Sequence, residues 1–246
     1  MRLRTITNWC VNAPYEIIVV CNEKWNKFSC AQAVSDEETF MSAIQTHIYL
    51  ASQSSRRREL LRQIGVNFET LLLRSDLCRN IDVDETIRAG EQPEGYVRRL
   101  CQAKIEAGCA TLRLRNLPVF PVLAADTDVA LDGRIFGKPE NAEQAAAMLR
   151  QLSGREHQVF SAVAIALGEH IETALSISTV RFATLGEERI RRYLLTGEYM
   201  DKAGGYAIQG QAGAFVEHIS GSYSGVMGLP LFETVQLLQR FGYPAP

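Results

Sequence analysis

The chain has 246 residues, enough for one large α/β domain or two small ones with a well-buried core. Hydrophobic residues make up 46% of the chain and charged residues 22%, which are ordinary proportions for a globular protein. The formal net charge of −2 gives no indication of a basic nucleic-acid-binding surface, so a nucleic acid polymer is not expected as a partner.

Residues 1–46 differ from the rest of the chain. They hold both tryptophans and three of the six cysteines, with only a strand pattern over residues 15–20 and a helix start near Ser35. Their longest apolar run, residues 17–21, is too short for a signal peptide or a membrane span, and the six cysteines include no Cys-x-x-Cys motif. We therefore predict a cytoplasmic protein with no membrane partner. Residues 1–46 form an extension of unknown role, and residues 47–246 form the domain.

From residue 47 onward, helix and strand patterns alternate. The first half predicts, in order, a buried strand over residues 47–51, a helix capped by Ser54 or Ser55 and closed by Gly65, a strand over residues 66–73, a helix within residues 86–112, and a buried central strand over residues 119–125 that ends at Asp126.

Turn signals divide the second half of the domain. They predict, in order, a hairpin at Asp132-Gly133, a helix over residues 142–152 between Asn141 and Gly154, a second hairpin of residues 159–167 and 171–182, a helix over residues 187–195, Gly-rich segments through residue 228, and a final helix from Pro230 through Leu238. Because hairpins interrupt the alternation, the sheet is expected to be mixed rather than purely parallel.

The turn from Ser52 to Arg57 combines hydroxyl groups with a helix start and tandem arginines. Free N–H groups and the positive end of the helix dipole favour an anion here, and the guanidinium fork suits phosphate oxygens. Three arginines at a helix start oppose the dipole, so a bound anion would account for them. A solvated basic face behind a serine cap is the alternative.

Asp126-Thr127-Asp128 follows the predicted central strand. Carboxylates at a strand end commonly face a crevice, where they hold a divalent cation or act as a base, although such a pair can also cap a turn. Several further polar residues are each typical of a protein surface, and only the whole set indicates a binding site. They are Asp84-Glu85, Lys104, Lys138 after Gly137, and Gln209 within Asp201-Lys202-Ala203-Gly204-Gly205-Tyr206-Ala207-Ile208-Gln209-Gly210.

Seven motifs in this order resemble the Maf (septum-formation protein) family over about residues 48–241. They are Leu50-Ala51-Ser52-Gln53-Ser54-Ser55-Arg56-Arg57, Ala124-Ala125-Asp126-Thr127, Gly137-Lys138-Pro139, Met148-Leu149-Arg150-Gln151-Leu152-Ser153-Gly154, Asp201-Lys202-Ala203-Gly204, Ile208-Gln209-Gly210 and Gly228-Leu229-Pro230-Leu231.

The resemblance implies both a fold and an activity. Members have a two-lobed α/β fold, with an elongated mixed β-sheet flanked by helices and a central cleft, similar to the inosine triphosphatase fold. They hydrolyse nucleoside triphosphates to the monophosphate and pyrophosphate with a divalent cation, Mg²⁺ or Mn²⁺. The Ile208-Gln209-Gly210 segment resembles the branch that acts on dTTP and UTP. Dimers are common among members, so the resemblance allows a homodimer.

The resemblance also implies residue roles. Asp126 is the general base or metal-bound carboxylate, and Glu85 is a second ligand of the metal or of water. The other roles fall to two groups: Ser52, Arg57, Lys104 and Lys138 around the triphosphate, and Arg56, Thr127 and Gln209 at the positions that set base choice.

Two positions depart from the family pattern, and two other functions compete with it. Ser55 stands where the family usually has proline. Asp128 stands where it usually has an apolar residue, and it adds a charge that could alter metal affinity. One competing function is a haloacid-dehalogenase-type phosphatase with Asp126 as nucleophile and Asp128 as acid, although the chain lacks the downstream acidic pair of that class. The other is a nucleotide-sensing or division-regulating binding module.

Overall fold

Seven strands form one mixed sheet in the computed structural model, which describes residues 47–72 and 83–246. The predictions for residues 1–46 therefore lie outside the described residues. The strands are β1 (Ile48–Leu50), β2 (Phe68–Thr70), β3 (Val122–Leu131), β4 (Arg134–Ile135), β5 (Glu156–Leu167), β6 (His170–Phe182) and β7 (Val216–Ser220). Their order is β2-β1-β3-β5-β6-β7, and β4 pairs with β3. The predicted mixed α/β fold is thus confirmed.

Six α-helices flank this sheet among the described residues. They are α1 (Ser55–Gln63), α2 (Pro93–Leu114), α3 (Ala142–Leu152), α4 (Glu187–Leu194), α5 (Tyr223–Met227) and α6 (Leu231–Arg240). Within the two described ranges, none combines the length and the hydropathy needed to cross a bilayer.

The two faces of the sheet bury separate cores because side chains alternate along each strand. On β3, Leu123, Ala125 and Val129 join the larger core, which also includes apolar side chains of α1, α3, α4 and α6. Val122 and Ala124 join the second core under α2. Asp126 and Asp128 belong by alternation to the face under α2, and both are buried.

Local signals account for several element boundaries. The Asn141 side chain accepts a hydrogen bond from the Gln144 N–H, so α3 begins at Ala142 as predicted. The β3–β4 hairpin turns at Asp132 and Gly133, which have φ of 52° and 77°. Positive φ at both central residues is the conformation that Asp-Gly turns favour, so this hairpin is also confirmed.

The structure differs from the sequence-based expectation at three elements. The central strand does not end at Asp126, because β3 continues to Leu131 with a full antiparallel partner in β5. The helix expected within residues 86–112 begins only at Pro93, since the Arg99 side chain donates hydrogen bonds to the Asp84 and Thr86 carbonyls and holds that segment as a loop. The short helix α5 was missed inside the Gly-rich region.

Candidate active site

The candidate site lies beside a gap in the strand pairing along one edge of β3. β1 pairs with β3 only at Val122 and Leu123, and β4 pairs only at Ala130 and Leu131. Among the described strands, none pairs with residues 124–128 on that edge. A cavity of about 950 Å³ lies against this gap. It is lined, among others, by every site residue predicted from the sequence: Ser52, Arg56, Arg57, Glu85, Lys104, Asp126, Thr127, Lys138 and Gln209.

The turn before α1 is held by its own hydroxyl groups. Ser54 is the N-cap, with its side chain accepting from the Arg57 N–H. The Ser52 hydroxyl accepts from the Ser54 N–H at 3.2 Å and from Arg57 Nη1 at 3.1 Å. The Arg57 side chain therefore folds back onto the segment from Ser52 to Arg57 instead of extending into solvent.

The paired arginines at the start of α1 do not form a solvated basic face. Arg56 Nε donates to the Met227 carbonyl at 3.0 Å, and Arg57 Nε donates to the Gly228 carbonyl at 2.8 Å. Both carbonyls lie at the end of α5, where free carbonyls and the negative end of the dipole attract cations. Burial and the neighbouring Arg57 charge lower the pKa of Arg56 to about 10, still well above neutral. These contacts fix each guanidinium against the cavity wall.

Two carboxylates and two lysines form an alternating cluster beside β3. Lys104 of α2 contacts Asp126 Oδ1 at 2.5 Å and Glu85 Oε1 at 3.0 Å. Lys138 contacts Glu85 Oε2 at 3.0 Å. Partial burial raises the pKa of Glu85, but the two lysines outweigh it and bring it to about 2. Glu85 therefore stays ionised across the physiological range.

Asp128 is not part of the cavity lining. It is 5% exposed, and its Oδ1 accepts from the Val129 N–H at 2.7 Å and the Gly137 N–H at 3.2 Å. Burial raises its pKa to about 7. The phosphatase alternative needed Asp128 as an acid facing the reacting group beside Asp126, and this placement does not fit that role.

Thr127 faces the opposite side of the sheet from Asp126. Its hydroxyl lies 3.3 Å from the Gly228 carbonyl and 3.0 Å from Ser161 Oγ, and Ser161 Oγ lies 2.7 Å from the Gly225 carbonyl. Ser161 is directly opposite Thr127 in the β3–β5 register and is 1% exposed. The buried hydroxyl pair therefore joins Thr127 to the α5 wall.

The loop that carries Gln209 is anchored on both sides of that residue. The Tyr206 hydroxyl lies 2.9 Å from His157 Nε2, and the Ala207 N–H donates to the Tyr193 hydroxyl at 3.1 Å. Beyond Gln209, the Gln211 N–H donates to Glu198 Oε2 at 2.9 Å. The Gln209 amide itself makes no hydrogen bond to another described residue, so it is available to a ligand.

The charges around the cavity nearly balance. Among the described residues, five basic and four acidic side chains line it, which leaves one excess positive charge: Arg56, Arg57, Lys104, Lys138 and Lys202 against Asp84, Glu85, Asp126 and Asp201. The cavity alone therefore matches a polyanion poorly unless a cation accompanies it.

The acidic side chains of the cavity fit a divalent cation that is also bound by phosphate oxygens of a ligand. Within residues 47–72 and 83–246, no cluster of three or more His, Cys, Asp and Glu side chains is placed to hold a metal. Asp126 and Glu85 supply oxygen donors on either side of Lys104. Mg²⁺ is commonly held by one or two carboxylates together with phosphate oxygens of the bound molecule. The pair therefore fits a cation that arrives with a phosphorylated ligand.

Sequence reasoning missed the contribution of α5 and Ser161. The helix ends in the carbonyls that hold Arg56, Arg57 and Thr127, and its Val226 and Met227 line the cavity. One signal was present for Ser161, since it is the single polar residue within the apolar segment of residues 159–167. For α5, the motif Gly228-Leu229-Pro230-Leu231 marked the region without indicating a helix before it.

Comparison with known proteins gives consistent matches over this domain. The family model described as Maf-like protein matches residues 47–241. A dTTP/UTP pyrophosphatase of Aromatoleum aromaticum is 57% identical over 205 residues, which cover 83% of this chain and 100% of the relative. A dTTP/UTP pyrophosphatase of Nitrosomonas europaea is 54% identical over 195 residues, covering 79% and 94%. Among solved structures, the Staphylococcus aureus Ham1 protein matches 79% of this chain and 97% of its own, with a TM-score of 0.43 and 18% identity.

Proposed function

Because this chain belongs to the Maf-like protein family, we propose that it hydrolyses nucleoside triphosphates, with dTTP and UTP as preferred substrates, to the monophosphate and pyrophosphate. The observation that carries the proposal is the single cavity in which Asp126 lies among Arg57, Lys104 and Lys138, with the Gln209 amide in the same lining. Its volume of about 950 Å³ is at the upper end of the usual range for small-molecule sites.

The phosphate end of the substrate is assigned to the basic side of the cavity. Ser52, Arg57, Lys104 and Lys138 would surround the triphosphate, where guanidinium and ammonium groups donate charge-assisted hydrogen bonds to its oxygens. Arg57 Nε is already occupied by the Gly228 carbonyl, so its remaining nitrogens are oriented before the ligand arrives. Such preorganisation reduces the entropy lost on binding.

A divalent cation, Mg²⁺ or Mn²⁺, would be held by Asp126 and Glu85 together with phosphate oxygens. When bound, it supplies positive charge against the charge that develops on the phosphates. It would also correct the charge balance, because a triphosphate carries far more negative charge than the single excess positive charge that the described lining residues supply.

We assign the activation of water to Asp126. Its carboxylate accepts a proton from a water molecule whose oxygen forms a bond to the α-phosphorus, while the bond from that phosphorus to the α–β bridging oxygen breaks. Pyrophosphate leaves with the bridging oxygen, and the proton passes from Asp126 to solvent. Lys104 holds Asp126 Oδ1, which keeps the carboxylate in place during this transfer.

Base choice is assigned to Gln209, with Arg56 and Thr127 nearby in the lining. Uracil and thymine present a carbonyl, an N–H and a second carbonyl along one edge, and a primary amide can donate to one of these groups and accept from its neighbour. A site that forms paired hydrogen bonds discriminates strongly against ligands that leave its polar groups unpaired.

The test is a pyrophosphate-release assay with dTTP, UTP, CTP, ATP and GTP. Asp126→Asn should lower turnover by roughly 10² or more, the scale of a positioned base. Asp132→Asn is the matched control, because Asp132 lies in the exposed β3–β4 turn, where asparagine suits the positive φ. Orthophosphate release without pyrophosphate would contradict the proposal. Tight nucleotide binding without turnover would favour the nucleotide-sensing alternative.

We extend the proposal to the cellular context and the assembly. The protein is expected to act on free nucleotides in the cytoplasm, without a nucleic acid polymer or a membrane as partner, and to be able to form a homodimer. Sedimentation of the full chain across a concentration series measures the assembly, and a monomer at all concentrations would contradict the dimer.

A further inference from the structure

The peptide groups on either side of Gly137 are both fixed by hydrogen bonds. The Gly137 N–H donates to Asp128 Oδ1 at 3.2 Å, and the Gly137 carbonyl accepts from the Gly204 N–H at 2.8 Å. Gly137 has a φ of 58°, in the left-handed region that favours glycine. This conformation lets one residue link strand β3 to the loop that carries Gln209. The next residue in the chain is Lys138.

Asp128 is an unusual residue for its position. It lies on a buried strand, 5% exposed, two residues after Asp126. A carboxylate in such a place is costly unless its oxygens have hydrogen-bond partners. One of the two N–H groups that Oδ1 accepts from belongs to the adjacent Val129, so Gly137 is the partner that lies on another element. An apolar residue at this position could not accept the hydrogen bond from the Gly137 N–H, so this bond accounts for a buried carboxylate here.

Lys138 depends on its backbone for placement. Its side chain is 52% exposed, and its ion-pair partner among the described residues is Glu85, which is itself 43% exposed. Exposed ion pairs contribute little to holding a side chain in one place. The anchored peptide before Lys138 is therefore the rigid support for its ammonium group.

From this geometry we propose that Asp128 is a positioning residue, which fixes the Gly137 peptide so that Lys138 is held where it can bind the triphosphate. The proposal rests on the proposed function, since it assigns Lys138 a phosphate to bind. Asp128 acts as a hydrogen-bond acceptor for a backbone N–H, and neither as an acid nor as a cation ligand.

The experiment compares two substitutions that separate the acceptor from the charge. Asp128→Asn retains a side-chain carbonyl oxygen that can accept from Gly137, whereas Asp128→Val removes it. With dTTP, we expect Asp128→Val to raise KM about tenfold, on the scale of one lost hydrogen bond, with kcat within about twofold. Asp128→Asn should stay within about twofold of the wild type in both constants.

A double variant tests whether the effect passes through Lys138. Asp128→Val should add nothing to the KM of Lys138→Ala, because the group it positions is already absent. If Asp128→Val fails to fold, Gly137→Ala replaces it. A Cβ at Gly137 meets no atom within 4 Å, so this change disturbs the φ of 58° without a clash. It should raise KM in the same way, and again not in the Lys138→Ala background.

Three results would overturn the role of Asp128. Equal losses in Asp128→Asn and Asp128→Val would show that its charge matters rather than its acceptor. Additive effects with Lys138→Ala would show that it acts elsewhere. A matching rise in the Mg²⁺ concentration needed for half-maximal activity would show that it acts on the cation. By contrast, a wild-type protein that releases no pyrophosphate from any nucleotide would refute the proposed function itself.

Discussion

The buried histidine under the Gln209 loop makes folding stability depend on pH. His157 is 2% exposed and packs edge-to-face against the rings of Phe182 and Tyr206, with Nε2 2.9 Å from the Tyr206 hydroxyl. Its Nδ1 is buried and has no hydrogen-bond partner in the part of the chain that the structure describes. Burial lowers the pKa of His157 to about 4, from the ordinary value of 6.5. The folded protein therefore keeps this ring neutral where the unfolded chain protonates it.

The sign and size of the effect follow from this difference in pKa. The stability contributed by neutral His157 is complete above pH 6.5 and is lost progressively as the pH falls towards 4. Between pH 7 and pH 5 the loss is roughly 2 kcal/mol, from 1.36 kcal/mol per pKa unit. The raised pKa of Asp128 acts in the opposite direction in this range, so only a comparison of variants isolates His157.

The assay is urea unfolding of the wild type and of His157→Gln at pH 7 and pH 5. Glutamine does not titrate and can still accept a hydrogen bond from Tyr206. We expect acidification to cost the wild type roughly 2 kcal/mol more of unfolding free energy than it costs the variant. His218→Gln is the control, because it makes the same exchange of residue type at an exposed position on β7. Identical pH dependence in wild type and His157→Gln would show that burial does not lower the pKa of His157 in the folded protein.

Three further predictions concern binding, selectivity and the extension. Arg57→Ala and Lys138→Ala should each raise the KM for dTTP by roughly 10- to 100-fold, because each removes a charge-assisted hydrogen bond. Arg58→Ala is the control, since Arg58 lies outside the cavity lining and its loss should not raise the KM. A wild-type KM in the Arg57 and Lys138 variants would place these two side chains outside the substrate site. Gln209→Glu should reduce dTTP and UTP turnover, because a carboxylate only accepts hydrogen bonds, and equal rates on all five nucleotides in the wild type would contradict this role for Gln209. A chain that begins at His47 should unfold at the same temperature and turn over normally, whereas a large fall in melting temperature would show that residues 1–46 pack on the domain.

Local signals predicted most elements because they act over a few residues. The Asn141 cap and the Asp132-Gly133 turn each specify their own hydrogen bonds or φ angles, and the structure contains both. The predicted end of the central strand was wrong because the end of β3 depends on pairing with β5, which is distant in the sequence. Polar residues normally mark a strand end, but the ladder with β5 carries the strand past Asp126 and Asp128.

The motifs selected residues that the structure brings to one cavity, but the contacts of these residues could not be predicted. No spacing along the chain indicates that Arg56 and Arg57 reach carbonyls 171 residues away. The same holds for Asp128, where the sequence pattern suggested an added charge near a cation. The structure instead buries the side chain against Gly137, because the return of the chain after the β4 hairpin places that N–H beside it.

The gap in strand pairing beside residues 124–128 of β3 separates two sides of the site that differ in local stability. On the β5 side, pairing is continuous from Val122 to Ala130, so the Asp126 backbone cannot open without unfolding much of the sheet. On the other side, the Gln209 loop and residues 83–92 lie outside the strand ladder and are held mainly by side-chain hydrogen bonds and ion pairs. Amide hydrogen exchange should therefore be slowest around Asp126 and faster in the two loops. Opening for substrate entry and product release can then occur in these loops while the Asp126 carboxylate, to which we assign the activation of water, stays in place.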